Sequence, residues 1–384
     1  MTQILLDITR LITRLYDGLL PTGVDRVGLA YIRRYGATAR AVLSERGFSA
    51  IMTERDSQQS FASLLSSSFN KHTIRQVVAR TLVNQLRPIR LGRSVLLHTS
   101  HNGMEHVRYY EAMTRRGAGS VFMVHDLIPI THAEYCRPGV DDAHRRRIHT
   151  AIRHAGGLIA NSQFTCDALA EEAKRIGLPL PPVVVAHLAP GIATQESSGL
   201  PPLDAPYFVM LGTIEPRKNH WFMLHVWRRI VEHMGESAPK LVIIGRRGWE
   251  CENVVDMLER CTPLRGTIIE ESDCSDDRLS AWLQHARAML FPSFVEGYGM
   301  PLVEALMLRV PVLASNLPVF HEIASDIPDY LDPLDGPAWI ARIQAYAKRD
   351  SVERASQVRR IKQFREPTWA EHFEKVDDFL ASLD

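Results

Sequence analysis

At 384 residues the chain is longer than one ordinary hydrophobic core serves, so two domains are expected. Its 45 basic and 44 acidic residues leave a formal charge of +1, and 45% hydrophobic with 23% charged residues is the composition of a soluble globular protein. That balance argues against nucleic acid as the main partner, no apolar run reaches bilayer-spanning length, and the charged N-terminal stretch MTQILLDITRLITRLYDG lacks the form of a secretion signal.

Short apolar runs alternate with helical patterns along the chain. QILLDI (3–8) opens the series, and LLPTGVDRVGLAYIRRY (19–35) reads as a turn and an amphipathic helix. SVLLHT (94–99), SVFMVHD (120–126), GGLIANS (156–162) and PVVVAHL (182–188) follow. Residues 190–206, PGIATQESSGLPPLDAP, are rich in Pro, Gly and Ser and read as a linker. The alternation restarts with YFVMLGT (207–213), KLVIIGR (240–246), GTIIEES (266–272), ARAMLFPS (286–293) and VPVLAS (310–315). NHWFMLHVWRRIVEHM (219–234) and DDRLSAWLQHA (276–286) are helices between them. The segment 366–384 is an amphipathic helix expected to pack back on the first domain.

Strands alternating with helices predict parallel sheets, and two such series predict an α/β protein of two facing doubly wound, Rossmann-like domains. Their expected extents are 1–190 and 207–365, with a linker at 191–206 and the returning helix at 366–384. Ligands bind beyond the carboxyl ends of strands in such sheets, so a site is expected in the cleft between the domains. Five cysteines, at 136, 166, 251, 261 and 274, form no C-x-x-C pair and read as free thiols in a reducing cytosol.

FVEGYGMPLVEAL (294–306) joins a strand to a helix expected to begin at Pro301, whose missing N–H suits that position. Free N–H groups at a helix start attract anions, and Gly297 and Gly299 let a ligand come close. Glu296 lies on the loop and Glu304 in the first helical turn, so the two carboxylates flank one loop mouth. The same spacing also suits a plain turn with one solvated acid. MLGTIEPRKNHWFML (210–224) sets Arg217 and Lys218 at a second strand-to-helix turn, where either a diphosphate or bulk solvent can meet the charge. Gly23, before a helix, either admits a phosphate or sugar to the backbone or makes an ordinary turn. His125 and Asp126 stand at the carboxyl end of a strand, in a catalytic or a structural role. His98 and His101 in HTSHN are too few ligands for zinc. HRRRIH (144–149) is a solvated helix face or a contact with membrane phosphate. Asp-x-Asp, G-x-G-x-x-G and G-x-x-x-x-G-K-[ST] do not occur, which weakens metal-bridged diphosphate, dinucleotide and kinase-type readings.

Together these stretches resemble the family 4 retaining glycosyltransferases, which have the GT-B fold. The match is strongest at Glu296-x7-Glu304 with GYGMP between; GTIEPRKN, IIGRRGW, ANSQFTCDAL, MVHDLIP and PTGVDRV agree in order and spacing. The resemblance implies that the second domain binds a nucleotide diphosphate sugar and the first holds the acceptor. Arg217 and Lys218 would contact the diphosphate, helped by the loop Gly297, Tyr298, Gly299, Met300, Pro301 and Leu302, with Gly212 and Gly23 close to the donor. Glu304 would accept hydrogen bonds from the ribose, and Glu296 from the transferred sugar. His125 would stand by the reacting sugar, with Asp126 and His101 on the acceptor side. His125, Glu296, Arg217 and Lys218 are thus the implied catalytic residues, and no metal or other cofactor is expected.

EPRKN and GRRGW look most like the branch that uses GDP-mannose or related deoxyhexoses in lipopolysaccharide, capsule and exopolysaccharide assembly. Glu250 and Cys251, however, follow GRRGW where small polar residues are more usual. Such relatives act on saccharide or lipid-linked acceptors, so a cytoplasmic enzyme at the inner membrane face is implied. RPIRLGR (87–93) is either a contact with anionic lipid or a solvated loop. A nucleotide-sugar 2-epimerase of similar fold and an inactive GT-B binding protein are the competing readings. A periplasmic-type sugar binder is disfavoured by the missing export signal.

Overall fold

The apolar runs become interior strands because aliphatic and β-branched residues fit a pleated surface covered on both faces. The computed structural model describes residues 2–66, 71–84, 91–192 and 200–383. The chain divides into one unit of Met1–Thr131, Gly139–Leu188 and Thr368–Asp384 and a second of His132–Pro138 and Ala189–Pro367.

The first unit holds seven strands: β1 (Gln3–Asp7), β2 (Arg40–Glu45), β3 (Phe48–Ile51), β4 (Ser94–His98), β5 (Ala118–Val124), β6 (Ala155–Ala160) and β7 (Val183–Val185). They lie in the order β3-β2-β1-β4-β5-β6-β7. All pairs are parallel except β2–β3, an antiparallel hairpin closed by Arg46 and Gly47, both at positive φ. That is the backbone a two-residue primed turn requires.

The second unit holds β8 (Tyr207–Leu211), β9 (Lys240–Ile244), β10 (Ile268–Glu271), β11 (Met289–Phe291), β12 (Val312–Ser315) and β13 (Asp329–Leu331). Their order is β10-β9-β8-β11-β12-β13, all parallel. In each sheet the winding reverses beside the first strand, at β1/β4 and at β8/β11. A crevice opens beyond the carboxyl ends of the strands at such a reversal. Trp227 and Trp339 fill the second core, and their indole N–H groups donate to the carbonyls of Pro239 (3.0 Å) and Asp332 (2.9 Å).

The helix Trp369–Ser382 opens with a Thr368–Glu371 capping box and packs in the first unit. Phe373 meets Tyr31 edge-on at 5.1 Å and Tyr35 at 5.6 Å. On β6, a Cβ at Gly157 would stand 2.6 Å from Phe379 Cζ, so only glycine lets this helix come so close. His372 donates from Nδ1 to the His187 carbonyl and accepts at Nε2 from the Tyr31 hydroxyl, both at 3.0 Å. These bonds need a neutral ring, and burial pushes its pKa down to about 4.

Two boundaries differ from the composition-based ones. His132–Pro138 groups with the second unit because the Tyr135 ring stacks on Phe294 and its carbonyl accepts from Trp249. Ala189 onward also belongs to the second unit, while residues 193–199 of the expected linker lie outside the described residues, as do residues 87–90 of RPIRLGR. Among the described residues no helix is long and apolar enough to cross a membrane.

The His372 contacts make stability depend on pH. The unfolded chain takes up this proton near pH 6.5 and the folded one near 4. The contribution of the neutral ring is therefore complete above pH 6.5 and is lost as pH falls toward 4, amounting to roughly 3 kcal/mol. In urea titrations across this window, His372→Gln is expected to show a shallower fall in stability than the unaltered protein.

Candidate active site

Past β8 the chain turns at Gly212 (φ 137°) and forms a short 3-10 turn, Pro216–Lys218. Asn219 (φ 61°) then starts the helix His220–Met234. A Cβ on Gly212 would lie 3.4 Å from Lys218 Cε, so the bare backbone makes room for that side chain. Past β11, residues 292–299 lead to the helix Met300–Met307 through Gly299 (φ 108°). A Cβ there would come within 2.8 Å of Phe320. The two loops are joined by their backbones: Phe294 N–H donates to the Arg217 carbonyl at 2.9 Å.

That junction brings four charged side chains together. Arg217 Nη1 and Lys218 Nζ meet the two oxygens of Glu296 at 2.6 and 2.5 Å. Arg217 Nε meets Glu215 at 2.6 Å, and Ser293 Oγ donates to Glu296 at 2.8 Å. Lys218 Nζ also lies 4.9 Å from the Phe291 ring centroid. Glu296 is 6% exposed and Lys218 8%. Burial pushes the Glu296 carboxyl up, but the two cations and the bonds from Lys218 and Ser293 outweigh it and hold its pKa down at about 2. Burial lowers the Lys218 ammonium and raises the Glu215 carboxyl, against the opposite charges beside each.

The sequence reading foresaw Arg217, Lys218 and Glu296 but not that they pair with one another, and it missed Glu215 and Ser293. Glu215 was visible only as the acid of EPRKN. Glu304 is corrected: the helix begins at Met300, Pro301 is its second residue, and Glu304 is its fifth, beyond the first turn. What holds Glu304 is a backbone bond, with Oε1 accepting from Gly191 N–H at 3.1 Å. Gly297 and Tyr298 lie on the loop between the two acids, and Leu302 is buried in the helix.

In the first unit His125 and Asp126 directly follow β5. His125 Nε2 donates to the Thr99 carbonyl at 2.9 Å, and its backbone N–H donates to His101 Nε2 at 3.0 Å. The His101 ring packs against His125 (5.3 Å) and His144 (4.8 Å), and His144 Nε2 donates to the Asp126 carbonyl. Desolvation comes first in lowering all three imidazoles, so they stay neutral. His144 was not anticipated. The Asp126 carboxylate accepts from Ile128 N–H at 3.1 Å. Gly23 is the first residue of the helix Gly23–Tyr35, whose capping box joins Thr22 to Asp25. Among the described residues no group of three or more His, Cys, Asp or Glu is arranged to hold a metal ion.

Removing one member of a buried ion cluster leaves the others uncompensated, at a cost of about 3–5 kcal/mol. Glu296→Gln is expected to lower stability by about that much, read from the urea unfolding midpoint near neutral pH.

Residues 192–327 match the family described as Glycosyl transferases group 1. Serotype-specific mannosyltransferase WbdA of Escherichia coli is 30% identical over 247 residues, covering 59% of this chain and 30% of that protein. O-antigen chain mannosyltransferase B of Escherichia coli is 32% identical over 163 residues, covering 42% of each. The chain thus spans less than half the length of these curated relatives. Among solved structures, Anabaena Alr3699/HepE in complex with UDP and glucose matches over the whole of both chains, with TM-score 0.70 and 14% identity. Sucrose-phosphate synthase from Thermosynechococcus elongatus matches with TM-score 0.65 and 12% identity, over 100% of this chain and 99% of that one. The largely parallel sheets of the two units are thus the Rossmann-like domains of the GT-B fold, and the stretch that matches glycosyl transferases group 1, residues 192–327, carries Arg217, Lys218, Glu296 and Glu304.

Proposed function

We propose that the chain is a retaining glycosyltransferase. It moves mannose or a related hexose from a nucleotide diphosphate sugar to a saccharide or lipid-linked saccharide acceptor in polysaccharide assembly. The observation that carries this reading is the Arg217–Lys218–Glu296 cluster at the β8/β11 reversal, inside the region that matches a glycosyl transferase family.

In the reaction the sugar–phosphate bond breaks, the anomeric carbon takes on oxocarbenium character, and negative charge grows on the departing diphosphate. Arg217 and Lys218 supply the opposing charge, together with the Gly299 and Met300 N–H groups at the start of the helix Met300–Met307, since Pro301 has none and those of Leu302 and Val303 donate to the Gly299 carbonyl. Lys218 Nζ has three protons and gives one to Glu296, so it can reach the diphosphate without leaving the cluster. A carboxylate accepts about four hydrogen bonds. Glu296 receives bonds from Arg217, Lys218 and Ser293, which leaves room for a sugar hydroxyl. Glu304 takes the ribose hydroxyls. His125 sits by the reacting sugar, and His101 and Asp126 on the acceptor side; these first-unit roles and that of Gly23 rest on the resemblance. The acceptor hydroxyl attacks from the face the diphosphate leaves, with retention and no covalent enzyme intermediate. The reading requires no metal, since the side chains and amides named above carry the charge.

The mannosyltransferase relatives support mannose as the transferred sugar, and GDP as its carrier rests on the resemblance. That the enzyme is cytoplasmic and works at the inner membrane face rests on the resemblance.

A preformed contact to the developing charge is worth about 2.7–4 kcal/mol of barrier. Arg217→Ala and Lys218→Ala are each expected to cut turnover at least tenfold while circular dichroism stays unchanged; near-normal rates in both would refute the assignment. A thermal-shift screen of GDP-, UDP- and dTDP-sugars should give stabilisation by GDP-sugars alone. Interconversion of the donor sugar without an acceptor would mark an epimerase instead.

A further inference from the structure

Trp221, in the first turn of the helix His220–Met234, is 51% exposed, and Leu334, after β13, is 69% exposed. Large apolar groups gathered in solvent mark a binding surface more often than a scaffold. Both line a cavity of about 640 Å3 in the second unit, together with Tyr135, Phe222 and Phe294. The Tyr135 and Phe294 rings stack 5.3 Å apart and 1° from parallel. The Trp249 indole N–H donates to the Tyr135 carbonyl at 3.2 Å, so this aromatic wall is fixed on both sides.

The polar lining is one-sided in charge. It includes Glu134, Glu215, Glu250, Asn219, Asn253 and His225, whose ring meets Trp221 edge-on at 4.6 Å, and no lysine or arginine lines the cavity among the described residues. Glu215 is paired with Arg217, but neither Glu134 nor Glu250 has an ion-pair partner among the described residues. Glu250 holds φ 48°, a left-handed backbone that costs a non-glycine residue about 1–2 kcal/mol. Strain of this kind persists where the surroundings impose it, and it gathers at ligand sites. Glu250 is also the residue that departs from the usual composition after GRRGW.

A cavity with three carboxylates, one imidazole and no lysine or arginine disfavours phosphates, nucleotides and anionic lipid. Flat aromatic faces beside carboxylate acceptors and an amide suit a neutral pyranose. Its C–H face lies on the rings, its hydroxyls donate to the carboxylates, and the amide both donates and accepts. The volume falls in the range of small-ligand sites. We propose that this cavity holds a neutral saccharide, roughly one or two hexose residues of a glycan. The sugar is seated on Trp221 and the Tyr135–Phe294 wall, with its hydroxyls bound by Glu250 and Glu134. The cavity borders the charged cluster through Glu215 but does not include Lys218, Glu296 or Glu304, so it is a second sugar site beside the one proposed for the donor. The choice of a saccharide among neutral ligands rests on the sugar-transfer reading.

Isothermal titration of the full chain with mannotetraose and maltotetraose, with and without saturating GDP, tests this. At least one oligosaccharide is expected to bind in the presence of GDP. Its affinity should fall at least tenfold in Trp221→Ala and in Glu250→Gln, with the GDP-induced thermal shift unchanged in both. No oligosaccharide binding, equal affinity in both variants, or preferential uptake of tetralysine overturns the proposal. If no nucleotide sugar stabilises the protein but an oligosaccharide still binds and is lost in the variants, the transferase reading fails and the cavity assignment stands.

Discussion

The candidate site depends on keeping the Glu296 carboxylate ionised where water hardly reaches it. Taking an ion out of water costs several kcal/mol, and only close opposite charge with good hydrogen bonds offsets it. Arg217, Lys218 and Ser293 supply that, and Glu215 in turn compensates Arg217. Well-packed apolar residues usually hold such a position at least as stably. Stability therefore gives no reason for four ionisable groups here, whereas the proposed reaction, which develops charge, would give one.

The cluster exists because of backbone choices far apart in the chain. β8 and β11 are neighbours only because the sheet is wound outward from β8 in both directions, which sets residues 212–219 against residues 292–299. Three bare glycines then let these segments close up. Gly212 accommodates Lys218, Gly299 fits beside Phe320, and Gly245 lies where a Cβ would strike the Gly212 carbonyl at 2.0 Å. The loops are thus fixed from below by strand order and from the side by the absence of side chains.

Most strands were legible as apolar runs, since parallel strands buried on both faces read as continuous Val, Ile and Leu. The ones missed were those that break this rule. β2 (RAVLSE) and β3 (FSAI) offer only two or three consecutive apolar residues on either side of an Arg-Gly turn, and β13 is a three-residue edge, DYL. The charged residues of the site were also legible, because acid and base at strand-to-helix turns stand out. Their pairing was not, since no local pattern tells that residues 217 and 296 share an ion pair. Glu304 was placed one position too early in the helix because Pro301 marks a helix start only to within a residue, and Gly299 as N-cap moves the count. His144 was hidden inside HRRRIH, where its role comes from the His101 and His125 rings lying across from it.

The first unit takes one of its walls from Thr368–Asp384, after the whole of the second unit has been threaded. Domains emerging from a ribosome usually fold in the order they are made. Here the earlier sheet stays without the Phe373 and Phe379 side chains until the second unit has been made, and the later sheet has all its strands first. Its closure spans a very long loop, which slows folding far more than it weakens the folded state. A nascent chain therefore carries β6 without its Phe379 contact at Gly157 throughout the synthesis of the second unit, which leaves an apolar face open to water for that interval.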